Sequence, residues 1–212
     1  MAAVMRPEHL PSTPAPVQVV AEDLGLRFAG RPVFEGLSFT IGPGLTLVRG
    51  GDGRGKTSLL RLLAGTLMPT SGRLRGVPDA VFHEQPGDPA HDAVVARAWL
   101  AAVAGRHPLW DAALARDAAD AFALQEHIDK PLFMLSTGSR RKVGLVAAAA
   151  CGARLTLLDT PYAALDAASR RVLDSLLGQA ADRGDRAWVV ADHTMPVGLA
   201  GERWTDRIEL GD

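Results

Sequence analysis

Eight consecutive residues, Gly50, Gly51, Asp52, Gly53, Arg54, Gly55, Lys56 and Thr57, fit the spacing G-x-x-x-x-G-K-[ST]. Glycines at such positions let successive backbone N–H groups turn inward on an anion. The helix that follows adds the positive end of its dipole. A lysine at the end of the run reaches the outer phosphates of a nucleoside triphosphate, and the neighbouring hydroxyl of Thr57 ligates Mg²⁺. Ser58 opens the same helix. On its own this motif says only that a nucleoside triphosphate is bound. A kinase, a GTPase, a motor and a transport ATPase all share it.

The elements needed to hold that loop can be read on both sides of it. Leu45–Val48 is a short, mostly apolar strand running in, and Lys56–Leu67, with Leu59, Leu60, Leu62 and Leu63 at helical spacing, is a helix running out. Leu24, Leu26 and Phe28, and then Leu37, Phe39 and Ile41, alternate as strands do. Farther on, strands are expected at Ala80–Phe82, Leu155–Leu158, Trp188–Ala191 and Arg207–Leu210. Helices are expected over Ala90–Ala104, Trp110–Ala123, Ser139–Ala150 and Ser169–Ala181. Strand–helix alternation argues for an α/β layered domain with a largely parallel sheet. The stretch Ala90–Ala123 has no strand between its parts and reads as an all-helical insert.

Composition bounds the alternatives. The chain has 212 residues with 23 basic and 24 acidic side chains, a net charge of −1. Hydrophobic residues make up 47% and charged ones 22%, which excludes a disordered or collagen-like chain and a strongly basic nucleic-acid binder. Cys151 is the single cysteine, so neither an internal disulfide nor a cysteine-zinc cluster can form. Residues 1–16, with Pro7, Pro11, Pro14 and Pro16, have no signal-peptide pattern and are expected to be a flexible tail. The most apolar run, Val143–Cys151, falls far short of the roughly 20 residues that span a bilayer.

Further segments follow the glycine loop in order. Gln85 lies just past the strand Ala80–Phe82. Leu135, Ser136, Thr137, Gly138 and Ser139 begin a helix with a basic first turn. The strand Leu155–Leu158 runs into Asp159, then Thr160, Pro161 and Tyr162, then Ala164, Leu165 and Asp166. His193 follows the strand Trp188–Ala191. Ser136 and Thr137 are good helix caps in their own right, though a helix terminus with glycine at close approach is also an anion site. Asp159 ends a buried apolar strand, where a carboxylate is poorly placed without a compensating cation. His83, His91, His107 and His127 have no ligand-like spacing and are expected to be solvated.

This ordered set resembles the ATP-binding domain of ABC transporters, over roughly residues 17–212. Within that family the stretch "VFEGLSFTI", then "SLLRLLAGTLMPTSGRL" and a short helical insert, looks most like the haem-exporter ATPases of cytochrome c maturation. The resemblance implies a P-loop NTPase fold with a RecA-like core sheet, an N-terminal antiparallel β part and a helical subdomain at about 86–142. It implies that Phe28 stacks on adenine and that Gln85 senses Mg²⁺ and the γ-phosphate and faces a membrane partner. Asp159 would hold Mg²⁺ through water, Ser136 and Gly138 would close over the ATP of an opposing subunit, Asp166 would belong to the D-loop, and His193 would be the switch histidine near the γ-phosphate. The implied cofactors are ATP and Mg²⁺. The implied partners are a second cassette and membrane-spanning permease subunits, with no nucleic acid, at the cytoplasmic face of a bacterial membrane. A cassette that only binds ATP and completes a partner's site is the alternative reading. A DNA-repair or translation ATPase would need longer insertions or a second cassette, and a small-molecule kinase lacks the Leu135–Ser139 segment.

One departure stands out. The family carries a glutamate directly after the strand-end aspartate, and here that residue is Thr160. A threonine hydroxyl can hydrogen-bond the attacking water but is too weak a base to take its proton, and a missing positioned base costs about 10²–10⁴ in rate. Asp192, beside His193, is a carboxylate where a small polar residue is usual, but strand neighbours point to opposite faces, so it is not expected to substitute. Gly51 and Asp52 replace the usual proline and asparagine, and Ser139 the usual glutamine, with no essential ligand lost.

Overall fold

The computed structural model describes residues 17–83, 87–193, 198–199 and 203–211. The expected flexible tail at 1–16, and Gln85, lie outside the described residues. The chain opens with two long strands, β1 (Val19–Phe28) and β2 (Arg31–Ile41), paired antiparallel. The turn between them is two residues, Ala29 and Gly30, both at positive φ, as a tight hairpin matching the strand twist requires. A third strand, β4 (Ser71–Arg75), pairs antiparallel with β1 on its other edge. It was not expected from the sequence: SGRLR has one partly buried side chain, Leu74, and no alternation to reveal it.

The second sheet has five strands in the order β5 (Val81–Phe82), β6 (Leu155–Asp159), β7 (Ala187–Asp192), β3 (Gly44–Arg49) and β8 (Trp204–Glu209), all pairs parallel. Its central strands β6, β7 and β3 are buried on both faces, whereas the edge strand β8 alternates buried and exposed residues. Leu155, Leu157, Val189, Ala191 and Val48 pack with the antiparallel sheet and α1 (Lys56–Leu63), while Leu158, Trp188, Val190, Leu45 and Leu47 face the remaining helices. That period-two division explains why β6 and β7 read as continuous apolar runs.

The helices differ from expectation mainly at their ends. α1 stops at Leu63 rather than Leu67, because Gly65 turns left-handed (φ 70). The expected helix over Ala90–Ala104 is a single 3₁₀ turn at Pro89–His91 and then α2 (Ala96–Arg106); Val95 is extended and bridges to Pro131. α3 (Ala112–Ala121) is capped by Asp111, which accepts from the N–H groups of Ala113 and Leu114. α4 (Thr137–Ala150) and α5 (Ala167–Arg183) contain the expected segments. The histidine expectation needs correcting. His107 is buried against Phe82, and His83, His91 and His127 are half-buried. No helix among the described residues is long and apolar enough to cross a membrane.

Candidate functional site

The carboxyl ends of β3, β6 and β7 lie at one edge of the parallel sheet, level with one another: Arg49 sits opposite Asp192 and Asp159 opposite Ala191. Open α/β sheets gather ligands at this edge. β3 delivers the loop Gly50–Gly55, which turns into α1. Gly53 and Gly55 take positive φ (75° and 92°), and Gly55 caps α1 with no side-chain hydrogen bond on the first turn. A Cβ on Gly55 would lie 2.5 Å from Val33 Cγ1, so the β1–β2 hairpin closes one side of the loop. Lys56, only 8% exposed, folds back and donates from Nζ to the carbonyls of Gly50 (2.6 Å) and Gly51 (2.8 Å). Asp52, Gly53, Arg54 and Thr57 are exposed, and Ser58 is half-buried on α1.

Two oxygens across the edge already meet. Thr57 Oγ1 donates to Asp159 Oδ2 at 2.6 Å, bringing residues 102 apart in sequence into contact. A hydroxyl and a carboxylate are hard ligands of the kind Mg²⁺ takes alongside phosphate oxygens. Among the described residues no three His, Cys, Asp or Glu side chains could hold a metal by themselves. The Thr57 hydroxyl and the Asp159 carboxylate are donors that fit Mg-ATP.

Next to Asp159 the backbone is strained. Thr160 has φ 43°, a region costly for a β-branched residue. Its N–H donates to the Ala191 carbonyl (2.8 Å) and its carbonyl accepts from Arg141 Nη1 (2.6 Å), which also reaches the Asp159 carbonyl (3.1 Å). Sequence reasoning missed Arg141; its only signal was the basic first turn of α4. Burial lowers the Arg141 guanidinium from its ordinary value, and the carboxylates of Asp159 and Asp192 oppose that shift. With Arg140, Thr137, Asp159 and Pro161 it lines a pocket of about 420 Å³ between α4 and β6.

β7 ends in Asp192, 4% exposed, followed by His193, whose side chain is 65% exposed. Asp192 Oδ1 accepts from the His193 backbone N–H and lies 2.8 Å from its Nδ1. The two side chains thus meet, against the expectation of opposite faces, because strand alternation stops where β7 stops.

Ser136 caps α4, accepting from the Ser139 N–H (3.1 Å). Gly138 is pressed against the loop after β6: a Cβ there would lie 2.4 Å from the Ala164 carbonyl oxygen. That loop is tied to α4 by Lys142 donating to Asp166 (3.0 Å), and Asp166 caps α5. The Ser169 N–H, then Lys142 and the Ser169 hydroxyl, hold the Asp166 carboxyl well below the usual range. Phe28, at the end of β1, is 48% exposed rather than a core aromatic.

Comparison with known proteins agrees with this arrangement. The family model described as ABC transporter matches residues 34–163. The cytochrome c biogenesis ATP-binding export protein CcmA 2 of Cupriavidus metallidurans is 36% identical over 197 residues, covering 83% of this chain and 90% of that protein. The CcmA protein of Pseudomonas savastanoi pv. phaseolicola is 35% identical over 208 residues, covering 91% and 96%. Among solved structures, a putative ABC transporter ATP-binding protein from Pyrococcus furiosus superposes with a TM-score of 0.72 over 91% of this chain and 97% of that one; at 24% identity it speaks for the fold alone. Glycine loop, facing aspartate, capped α4 and sequence similarity lead to one conclusion: the chain belongs to the ABC transporter family, as an ATP-binding subunit.

Proposed function

We propose that this subunit binds Mg-ATP between the Gly50–Thr57 loop and Asp159, hydrolyses it slowly, and so drives transport through separate membrane-spanning subunits. The observation that carries this reading is the 2.6 Å contact between Thr57 and Asp159 beside a buried Lys56. Lys56 exchanges its loop carbonyls for phosphate oxygens, and the backbone N–H groups of Gly53–Lys56 orient the chain of phosphates. Mg²⁺, when bound, offsets the charge on the β- and γ-phosphates. Phe28 stacks on the base, and Gln85 and His193 face the γ-phosphate. Residues 17–212 act as one unit whose helical part, about 86–142, meets the permease at the inner membrane face.

Ser136 and Gly138 serve a second cassette. They lie on the start of a helix with an exposed N-terminus, as a group covering another subunit's nucleotide must. Two cassettes then close on ATP and reopen after hydrolysis. The expected result is that ATP drives dimerisation in light scattering and that Lys56→Ala stays monomeric. An ATP-independent oligomer would contradict the reading.

The identity to CcmA proteins over most of the chain supports a place in an export system for cytochrome c biogenesis. Deleting the gene should then abolish covalently attached haem in membrane cytochromes; unchanged c-type cytochromes would rule that place out. Thr160 favours a second reading, a cassette that binds ATP mainly to complete a partner's site. Turnover that appears only with a partner cassette and the permease would select it.

A further inference from the structure

Asp192 is a buried carboxylate that the proposed cycle does not use. β7 lies between β6 and β3, so the chain leaving β7 emerges between Asp159–Thr160 on one side and the glycine loop on the other. The hydrogen bond from the Thr160 N–H to the Ala191 carbonyl puts Asp192 beside the very position that lacks its carboxylate. Asp192 does not reach across to replace it; its Oδ1 is engaged by the backbone N–H and Nδ1 of His193, both at 2.8 Å. A carboxylate against one ring nitrogen of a histidine dictates the tautomer: the proton sits on Nδ1, and Nε2 keeps its lone pair. The ring that carries Nε2 is largely exposed at the sheet edge. The Asp192 carboxylate acts on the nearby Arg141 guanidinium, opposing the lowering that burial causes there.

We propose that Asp192 is a positioning residue that holds His193 in the Nδ1–H form, so that His193 Nε2 accepts the proton of the attacking water in place of the glutamate missing at 160. The proposal rests on the hydrolytic reading above. In the step, the water oxygen bonds to the γ-phosphorus as the bond from that phosphorus to the β–γ bridging oxygen breaks. The bridging oxygen keeps the electron pair and leaves with ADP. One water proton moves to Nε2, the resulting imidazolium is offset by Asp192, and the proton then passes to solvent as phosphate departs. The same division of labour, carboxylate orienting and imidazole accepting, serves acyl-transfer enzymes.

The test uses the full chain. Nitrogen NMR of the nucleotide-free protein at alkaline pH should find His193 protonated on Nδ1, with a shift toward the Nε2–H form in Asp192→Asn. Turnover of Asp192→Asn should fall about 10²-fold or more, while calorimetry gives a Kd for Mg-ATP within about threefold of wild type. Adding Thr160→Glu to Asp192→Asn should restore turnover, a rescue that a purely structural role for Asp192 would not allow. An Nε2–H tautomer in the wild-type protein, an unslowed Asp192→Asn, or a double variant without rescue each overturns the proposal. The wild-type spectrum decides even if Asp192→Asn fails to fold. Turnover with the wrong tautomer removes only the Asp192 proposal; an Nδ1–H tautomer with no turnover, alone or with partners, removes the hydrolytic reading and the acceptor role with it.

Discussion

The glycine loop and the corner formed by Thr160, Asp192 and His193 share one sheet edge but are built to different standards. Around the loop every feature agrees: two left-handed glycines, an uncapped helix start, a buried lysine and a hydroxyl already touching a carboxylate. At the corner the β-branched Thr160 is held at φ 43°, and the buried Asp192 accepts from the His193 backbone N–H and lies against its Nδ1. On the proposed reading, nucleotide binding rests on the first region and water activation on the second, so the two should be changeable separately.

Removing the lysine attacks the stronger half. Lys56→Ala loses charge-assisted bonds to two phosphates and should weaken Mg-ATP binding by about 10²-fold or more, ~3 kcal/mol, read by calorimetry. Restoring the missing base repairs the weaker half: Thr160→Glu should raise turnover by about 10²-fold or more with little change in Kd, measured by phosphate release. Unchanged turnover would mean that residue 160 is not the water-activating position. A subtler variant, Gly138→Ala, forces a Cβ onto the Ala164 carbonyl 2.4 Å away. It should displace the start of α4 and abolish ATP-driven dimerisation while leaving nucleotide binding by the monomer within about twofold.

The smallest effect concerns acid stability. The depressed Asp166 carboxyl contributes stability in full above its ordinary value near 3.8 and loses it as pH falls through the lower folded-state value. Wild type should therefore unfold at a higher temperature than Asp166→Asn at pH 6, and that gap should narrow progressively as pH falls below about 4. A gap that stays constant with pH would show that the contacts of Asp166 with Ser169 and Lys142 add nothing through charge.

The loop half was legible because phosphate chemistry demands residue types at fixed spacing, and strand and helix must flank them. The reading of Thr160 rests on its place directly after Asp159, which the sequence alone defines. β4 was invisible because its side chains are solvated and its place comes from pairing with β1, a tertiary event with no periodic trace. The contact between Asp192 and His193 ran against strand alternation, a rule that ends at the last ladder residue. His107 was misjudged because nothing local says that Phe82, 25 positions earlier in the chain, will lie against it. Arg141 was legible only as a charge on a helix turn; its reach to the carbonyls after β6 depends on how α4 packs.

The claim that binding and water activation are separable is tested most directly by titrating Mg-ATP calorimetrically into wild type and Thr160→Glu and following phosphate release from the same samples. The expected result is a Kd in the micromolar-to-millimolar range, shared by both proteins within about threefold, with turnover differing by about 10²-fold or more. No heat from the wild-type protein, or turnover that is the same in both, would contradict it.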